Sequence, residues 1–280
     1  MQKKILKIRR YRFDLSKKPL VMGVLNVTPD SFSDGGKYFN IKSACSRALE
    51  IEKEGADILD IGGESTRPGS LPVSLNDELS RVIPVIRRLK NKLKIPISVD
   101  TSKYEVARQS LREGACIIND VSGLHGDRRL AGLCAEHSAG IIIMHMKGCP
   151  RTMQKKPSYD DLLNSITDYL KEGIVIALTA GIRKESIVID PGIGFGKTVK
   201  NNLSIIKNID YFKQTGYPLL IGVSRKYFLS SITELDTDER LIPTIAANIL
   251  AAYYGADIIR VHDVKESVAA LKIANAIKES

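Results

Sequence analysis

The chain has 280 residues, 43% of them apolar, and its 42 Lys and Arg outnumber 32 Asp and Glu to give a net charge of +10. The apolar share suits a soluble globular fold with a sizeable core, and the charge suits a surface field that steers an anionic small molecule. Aromatics at 6% with no Trp do not supply a base-stacking surface, so no nucleic-acid partner is expected.

The chain opens Met1-Gln2-Lys3-Lys4-Ile5, which is basic but lacks the apolar core of a secretory signal. Leu6 to Leu15 alternates roughly and predicts a short N-terminal β-hairpin or cap within residues 1–18. From Leu20 onward, short and continuously apolar runs recur, as strands buried on both faces should. They are Leu20–Leu25, Ala56–Ile61, Ile95–Val99, Ala115–Ile118, Gly140–Met144, Ser186–Ile189, Pro218–Val223 and Ala256–Val261. Helical periodicity fills the gaps. Ile41, Ala44, Cys45, Ala48 and Leu49 share one face, as do Val264, Val268, Leu271 and Ile277. Asp263 and Glu266 are placed to cap the second of these helices. A long helix is predicted from about Tyr159 to Ala180. Gly55, Gly114, Gly181, Gly216 and Gly255 each stand between a helix and the next strand, where a left-handed turn is wanted. Strand, helix, glycine, strand, repeated eight times, predicts an α/β fold of the (β/α)8 TIM-barrel type. A doubly wound open sheet is the alternative. No linker and no shift in composition divides residues 1–280, so one domain is expected.

The longest apolar-looking region, Leu241 to Val261, is broken by Pro243, Thr244, Asn248, Gly255, Asp257 and Arg260. It reads as a helix followed by a strand, and no membrane partner is expected. Cys45, Cys116, Cys134 and Cys149 form no CxxC pair, which predicts free thiols and a reducing, cytoplasmic location.

In a barrel the chemistry sits at the C-terminal ends of the strands. Those ends read Asn26, then Asp60 to Gly69, Asp100, Asn119-Asp120, His145, Asp190 to Thr198, Ser224-Arg225-Lys226 and Arg260-Val261-His262-Asp263. A single Asp or Asn in such a place is an ordinary helix cap. Eight polar strand ends on one rim point to a site. Asp100, Asn119 and Asp190 offer acceptors, whereas Lys226, Arg260 and His262 offer donors and positive charge from the last two strands, where this fold usually binds phosphate. The site is therefore bipolar, with carboxylates for a ring bearing amide and amine groups and cations for an anionic group. A glycosidase carboxylate pair is the weaker reading, because Asn119 intervenes and aromatic sugar platforms are lacking. Gly192 to Thr198 approximates a P-loop, but its first Gly comes one place late, and Lys197 stands where GxGxxG needs its last Gly. No HExxH or Cys/His cluster marks a zinc site. Asn26 can give one amide oxygen to Mg²⁺, with phosphate oxygens and waters completing the shell, or it can simply cap its turn. Thr28 to Gly36 reads as a polar lid containing one large apolar residue, Phe32.

Five segments together resemble the dihydropteroate synthase family: Gly23 to Gly36 (GVLNVTPDSFSDGG), Asp60 to Gly69 (DIGGESTRPG), Asp190 to Lys197 (DPGIGFGK), Ser224 to Lys226 (SRK) and Arg260 to Asp263 (RVHD). They are highly specific in combination and run in order over nearly the whole chain. The resemblance implies a TIM barrel that is a transferase of folate biosynthesis and a sulfonamide target. It would join 6-hydroxymethyl-7,8-dihydropterin diphosphate to 4-aminobenzoate, releasing pyrophosphate. By the same resemblance, Asp100, Asn119 and Asp190 hydrogen-bond the pterin edge, Lys226 reaches the ring and Arg260 packs against it. Asn26 with Mg²⁺, and Arg260 with His262, hold the diphosphate. Thr66, Arg67 and Pro68 belong to a second mobile loop, with Thr66 touching both substrates. Phe32, Pro68, Phe195 and Lys226, with Thr66 and Arg67, form the aminobenzoate slot. Lys226, Arg260, Asp34 and Arg67 stand at the reacting centre, Asp34 facing the developing cation.

Loss of diphosphate is eased when its growing charge is neutralised, and an electron-rich dihydropterin can carry the resulting cation, so an S_N1-like path without a covalent enzyme intermediate is expected. The aniline nitrogen needs placement more than activation. One departure is Tyr227, where relatives often carry a Ser that helps bind the benzoate carboxylate; backbone N–H groups at the next helix start are the substitute. The family tends to dimerise through barrel helices, and Leu241 to Tyr254 is the candidate surface; a monofunctional enzyme is expected. A corrinoid-linked pterin methyltransferase and a catalytically silent pterin-binding protein are the alternatives, and retention of Asn26, Arg67, Lys226, Arg260 and His262 together speaks for the transferase.

Overall fold

An apolar strand that must pair in parallel with the next needs a crossover, and a helix with one apolar face supplies it while covering the sheet. The computed structural model describes residues 4–28, 41–65, 69–149 and 151–280, and that unit recurs throughout them. A hairpin of β1 (Ile5–Ile8) and β2 (Tyr11–Asp14) precedes β3 (Leu20–Asn26) and α1 (Ile41–Lys53). Then follow β4 (Ile58–Gly62), α2 (Leu75–Leu89), β5 (Ile97–Asp100), α3 (Tyr104–Glu113), β6 (Ile117–Asp120), α4 (Arg129–Glu136), β7 (Gly140–Met144) and α5 (Leu162–Thr179). The chain ends with β8 (Ile187–Asp190), α6 (Val199–Lys207), α7 (Ile209–Lys213), β9 (Leu220–Ile221), α8 (Tyr227–Thr233), α9 (Leu241–Tyr253), β10 (Ile258–Val261) and α10 (Val264–Glu279).

The eight main strands form one parallel sheet in the order β8-β7-β6-β5-β4-β3-β10-β9. A bridge between Ile189 and Leu219 joins its two outer strands, and the Ile189 N–H donates to the Pro218 carbonyl at 2.9 Å. The sheet therefore closes on itself, which removes the open-sheet alternative. β9 shrinks to two residues because Pro218 has no N–H to donate and Gly222 follows it.

The strands alternate strictly. Val21, Leu25, Leu59, Ile61, Ile118, Ile141, Ile189 and Ile259 point outward into the layer shared with the helices. Met22, Ile58, Ile117, Ile142, Val188, Leu220 and Ile258 point inward, where they pack with Leu6 and Ile8 of the hairpin. The hairpin thus plugs the N-terminal end of the barrel, pinned by Lys4 to Asp257 at 2.6 Å and by the Ser186 hydroxyl donating to the Lys7 carbonyl at 2.6 Å. Gly23 points outward between α1 and α10: a Cβ there would lie 2.5 Å from Ile51 Cγ2 and 2.9 Å from Val264 Cγ2.

The five connecting glycines all take positive φ, from 79° at Gly216 to 121° at Gly114. Two helix faces differ from expectation. Leu49 and Ile277 are exposed, because the buried stripe of α1 runs through Ala44, Cys45, Ala48 and Ile51 and α10 extends past the barrel beyond Leu271. The long helix starts at Leu162 rather than near Tyr159, capped by Asp161 accepting from the Asn164 N–H at 3.1 Å. No described helix is long and apolar enough to cross a membrane. All four cysteines are free, with only Cys149 exposed.

Candidate active site

One step along each strand from the apolar inward layer, the inward side chains turn polar. Ile58 is followed two residues later by Asp60, Ile117 by Asn119, Val188 by Asp190 and Ile258 by Arg260, and on β5 Ser98 is followed by Asp100. Period-two alternation delivers all of them to the same level of the barrel. Strand register aligns Asn26 with Gly62, Gly62 with Asp100 and Asp100 with Asn119.

Arg260 is the hub of this layer. Its Nε donates to Asp60 Oδ2 at 2.7 Å and its Nη2 donates to Asp100 Oδ2 at 2.9 Å. Asn119 Nδ2 donates to the same Asp60 oxygen at 3.2 Å. Asp60 is fully buried. The family resemblance assigned it no role, although the apolar-apolar-polar sequence Ile58-Leu59-Asp60 is the same inward signal as Ile117-Ile118-Asn119.

Burial pushes the Asp100 carboxyl up to about 7; Arg260 pulls it down and Asp60 adds to the rise. Asp190 is also raised by burial, against the pull of Lys226 and of the Gly192 N–H, which donates to Asp190 Oδ1 at 2.7 Å. Burial works against charge on Arg260, yet Asp60 and Asp100 hold its guanidinium above its ordinary value. Lys226 is lowered to about 8, by burial first, with Asp190 opposing and Arg260 adding to the fall. A carboxylic acid and an amine both held near neutrality are what a site requires if it is to carry charge only when a ligand demands it.

Lys226 donates to the Ile193 carbonyl, and its Nζ stands 4.5 Å from the centroid of the Phe195 ring. Ser224 Oγ and His262 Nδ1 are 2.9 Å apart, which couples the ends of β9 and β10. Arg225 sits at φ 57° and its guanidinium grips Asp263 through Nε at 3.0 Å and Nη2 at 2.6 Å. That bidentate pair explains a failed expectation: Asp263 makes no side-chain cap to α10, because Arg225 takes its carboxylate. Tyr227 begins α8 and is exposed.

The structure therefore brings Asn26, Asp100, Asn119, Asp190, Phe195, Lys226, Arg260 and His262 to the C-terminal rim of one barrel. Phe32, Asp34, Thr66, Arg67 and Pro68 lie outside the described residues. Among the described residues no three His, Cys, Asp or Glu side chains are grouped to hold a metal. Asn26 ends β3 half-buried; a Cβ built at Gly62 would lie 3.7 Å from Asn26 Oδ1 and 3.7 Å from Asp100 Cβ. A single neutral oxygen beside a carboxylate layer fits Mg²⁺, which keeps most of its shell for water and phosphate, and does not fit a metal that needs a full protein cage.

The profile of the family described as "Pterin binding enzyme" matches residues 22–262. The chain is 46% identical over 263 residues to the dihydropteroate synthase of Escherichia coli K12, covering 94% of this chain and 93% of that one. It is 44% identical over 266 residues to that of Synechocystis, with 95% and 92% covered. Among solved structures, the Yersinia pestis dihydropteroate synthase in a sulfonamide drug complex superposes with a TM-score of 0.92 at 41% identity, covering 99% of this chain and 100% of that one. The Xanthomonas albilineans dihydropteroate synthase with 4-aminobenzoic acid gives 0.92 at 40% identity, with 100% of both chains covered.

Proposed function

Because the chain belongs to the dihydropteroate synthase family of pterin-binding enzymes, and so is a transferase of folate biosynthesis, we propose that the inward polar layer of its barrel is the reaction centre. It takes 6-hydroxymethyl-7,8-dihydropterin diphosphate and 4-aminobenzoate as its small-molecule substrates. The observation that carries this reading is that one inward layer joins acceptors, Asp60, Asp100, Asn119 and Asp190, to donors, Lys226, Arg260 and His262, with Arg260 bridging Asp60 and Asp100. The pterin edge presents N–H donors, which Asp100, Asp190 and the Asn119 oxygen accept. The diphosphate faces Arg260 and His262. As the C–O bond to diphosphate breaks, its electron pair leaves with pyrophosphate, and Lys226 and Arg260 meet the growing negative charge. The aminobenzoate nitrogen then forms the new C–N bond and gives its proton to solvent. Phe195 is one wall of the slot that holds the aromatic ring. Phe32, Asp34, Thr66, Arg67 and Pro68 complete the slot and the reacting centre in this proposal. Asn26 would hold Mg²⁺, whose chemistry there is to neutralise diphosphate oxygens.

The test is pyrophosphate release on mixing protein, both substrates and Mg²⁺. Release no faster than in a protein-free control overturns the assignment, and chelation of Mg²⁺ is expected to stop it. The pH profile is a sharper form of the same experiment. Asp100 has to be ionised to accept from the pterin edge, so activity rises as pH passes up through about 7. Lys226 has to be protonated, so activity falls as pH passes up through about 8. A bell in kcat/KM with limbs near those two values is expected; a flat profile between pH 6 and 9 rules out these roles.

We take residues 1–280 as one pterin-binding unit and place it, on its four free thiols, in the cytoplasm. We further assign α9 and α10 as a homodimer surface. Ile242 and Tyr253 on α9, and Ile273 and Ile277 on α10, are all at least 65% exposed, and exposed large apolar side chains are what a subunit interface would cover. Sedimentation equilibrium at micromolar concentration is expected to give a dimer mass; a monomer at every concentration contradicts it.

A further inference from the structure

The glycine-rich stretch after β8 fails as a phosphate loop, and its lysine does something else. From Gly192 to Gly196 the chain has no regular structure, yet each of its five carbonyls has a donor. Gly192 accepts from the Phe195 N–H at 3.1 Å, Ile193 from Lys226, and Gly194 from the Gln154 side chain. Phe195 accepts from Lys197 Nζ at 3.0 Å and Gly196 from the Tyr159 hydroxyl at 2.9 Å. The loop's shape is thus dictated by side chains from the β7–α5 connection, from the start of α8 and from Lys197 itself.

Lys197 is 2% exposed, whereas Gln154 is exposed and Tyr159 and Lys226 are half-buried. Its Nζ also lies 2.9 Å from His145 Nδ1. His145 belongs to the same frame: its N–H donates to the Asp190 carbonyl at 2.9 Å, and its ring meets Tyr169 edge-on at 4.9 Å. Gly192, at φ 70°, lies so close to the His145 carbonyl that any Cβ would collide with it. Both members of the pair are pressed toward their uncharged forms. Burial holds the Lys197 ammonium well below its ordinary value, against the pull of Asp190, and burial with Lys197 pushes His145 down to about 2. A buried amine with few charge partners is costly, so a packing role would be served better by Met or Leu. What the amine adds is donors aimed at one carbonyl and one imidazole nitrogen.

We infer that Lys197 is a positioning residue for the aminobenzoate slot: by holding the Phe195 carbonyl against the His145 frame, it sets where the Phe195 ring stands beneath Lys226. The inference rests on the proposed place of Phe195 in the slot. Lys197 touches neither substrate in this arrangement, so its loss acts on aminobenzoate and spares the pterin.

The experiment compares K197M, K197Q and F195A by steady-state pyrophosphate release and by calorimetric titration with the pterin diphosphate. Met keeps the length of Lys and removes its donors. K197M is expected to raise the aminobenzoate KM about tenfold, since sub-ångström displacement of a substrate-positioning group costs on that order, with pterin diphosphate affinity within about twofold of wild type. K197Q restores a donor and is expected to recover most of the KM. An unchanged KM in K197M, or a parallel loss of pterin affinity, overturns the inference. If K197M does not fold, Y159F removes the next donor along the loop without disturbing the buried pair; a severalfold rise in aminobenzoate KM supports the side-chain-held loop and no rise overturns it. F195A separates the two levels. An unchanged KM in F195A sinks the slot reading itself, whereas a raised KM in F195A beside a normal K197M sinks only the role of Lys197.

Discussion

Arg260→Met is expected to abolish pyrophosphate release and to cost about 3–5 kcal/mol of folding stability near neutral pH, the usual consequence of removing one partner from a buried ion pair. Arg260 is the only side chain given hydrogen bonds to both Asp60 and Asp100 among the described contacts, and Asp60 is completely buried. Met fills much of the volume but leaves two carboxylates with Asn119 as the remaining donor to Asp60.

The pH dependence has a defined sign. The folded-state carboxyl of Asp100 already lies above its ordinary value of 3.8, at about 7, so between those limits the folded protein holds a proton that the unfolded chain has released. Stability from this group is present at low pH and lost as pH rises through the folded value. Without the cation the Asp100 carboxyl rises further, so the penalty of Arg260→Met should be larger at pH 8 than at pH 6. Urea denaturation at the two pH values measures it. A destabilisation below about 1 kcal/mol, the same at both, is incompatible with Arg260 as the hub.

Lys226→Ala is expected to lower kcat by roughly 100- to 1000-fold at pH 7, the range seen when a preorganised stabiliser of developing charge is removed. The fold should survive. Lys226 is half-buried, and the Ile193 carbonyl it leaves can turn to water. Asp190 keeps the Gly192 N–H. Because Lys226 is the group assigned to the alkaline limb of the pH profile, its loss should also remove that limb. Turnover within about tenfold of wild type, with the alkaline limb still in place, removes Lys226 from the reaction centre.

Much of the rim was legible because strand periodicity is a local property. Once Ile258-Ile259-Arg260 is read as a buried strand, Arg260 must point the same way as Ile258, toward the inside. Asn26, Asp100, Asn119 and Asp190 follow from the same reasoning. Asp60 yields to it too, but it was absorbed into a motif dominated by the loop beyond it. Asp263 shows the opposite case. Its position before α10 is a good capping position by every local rule, yet Arg225, 38 residues away in the chain, takes its carboxylate. Local propensity loses there because a bidentate guanidinium pair satisfies both oxygens at once.

Composition, period and spacing determined by themselves the order of strands and helices, the glycine turns, the inward residues and the two signs of charge that meet at the rim. What only the tertiary structure decided is which charges pair and how strongly each is pressed toward neutrality. Arg260 reaches Asp60 across 200 residues of chain because β10 pairs with β3 and so stands two strands from β4. Asp100, Lys226 and Lys197 owe their shifts first to burial, a property of the assembled layers that no spacing of residues along the chain contains. The glycine-rich segment makes the same point in backbone terms: its letters already fail as a phosphate loop, and only folding brings the side-chain donors that hold its carbonyls.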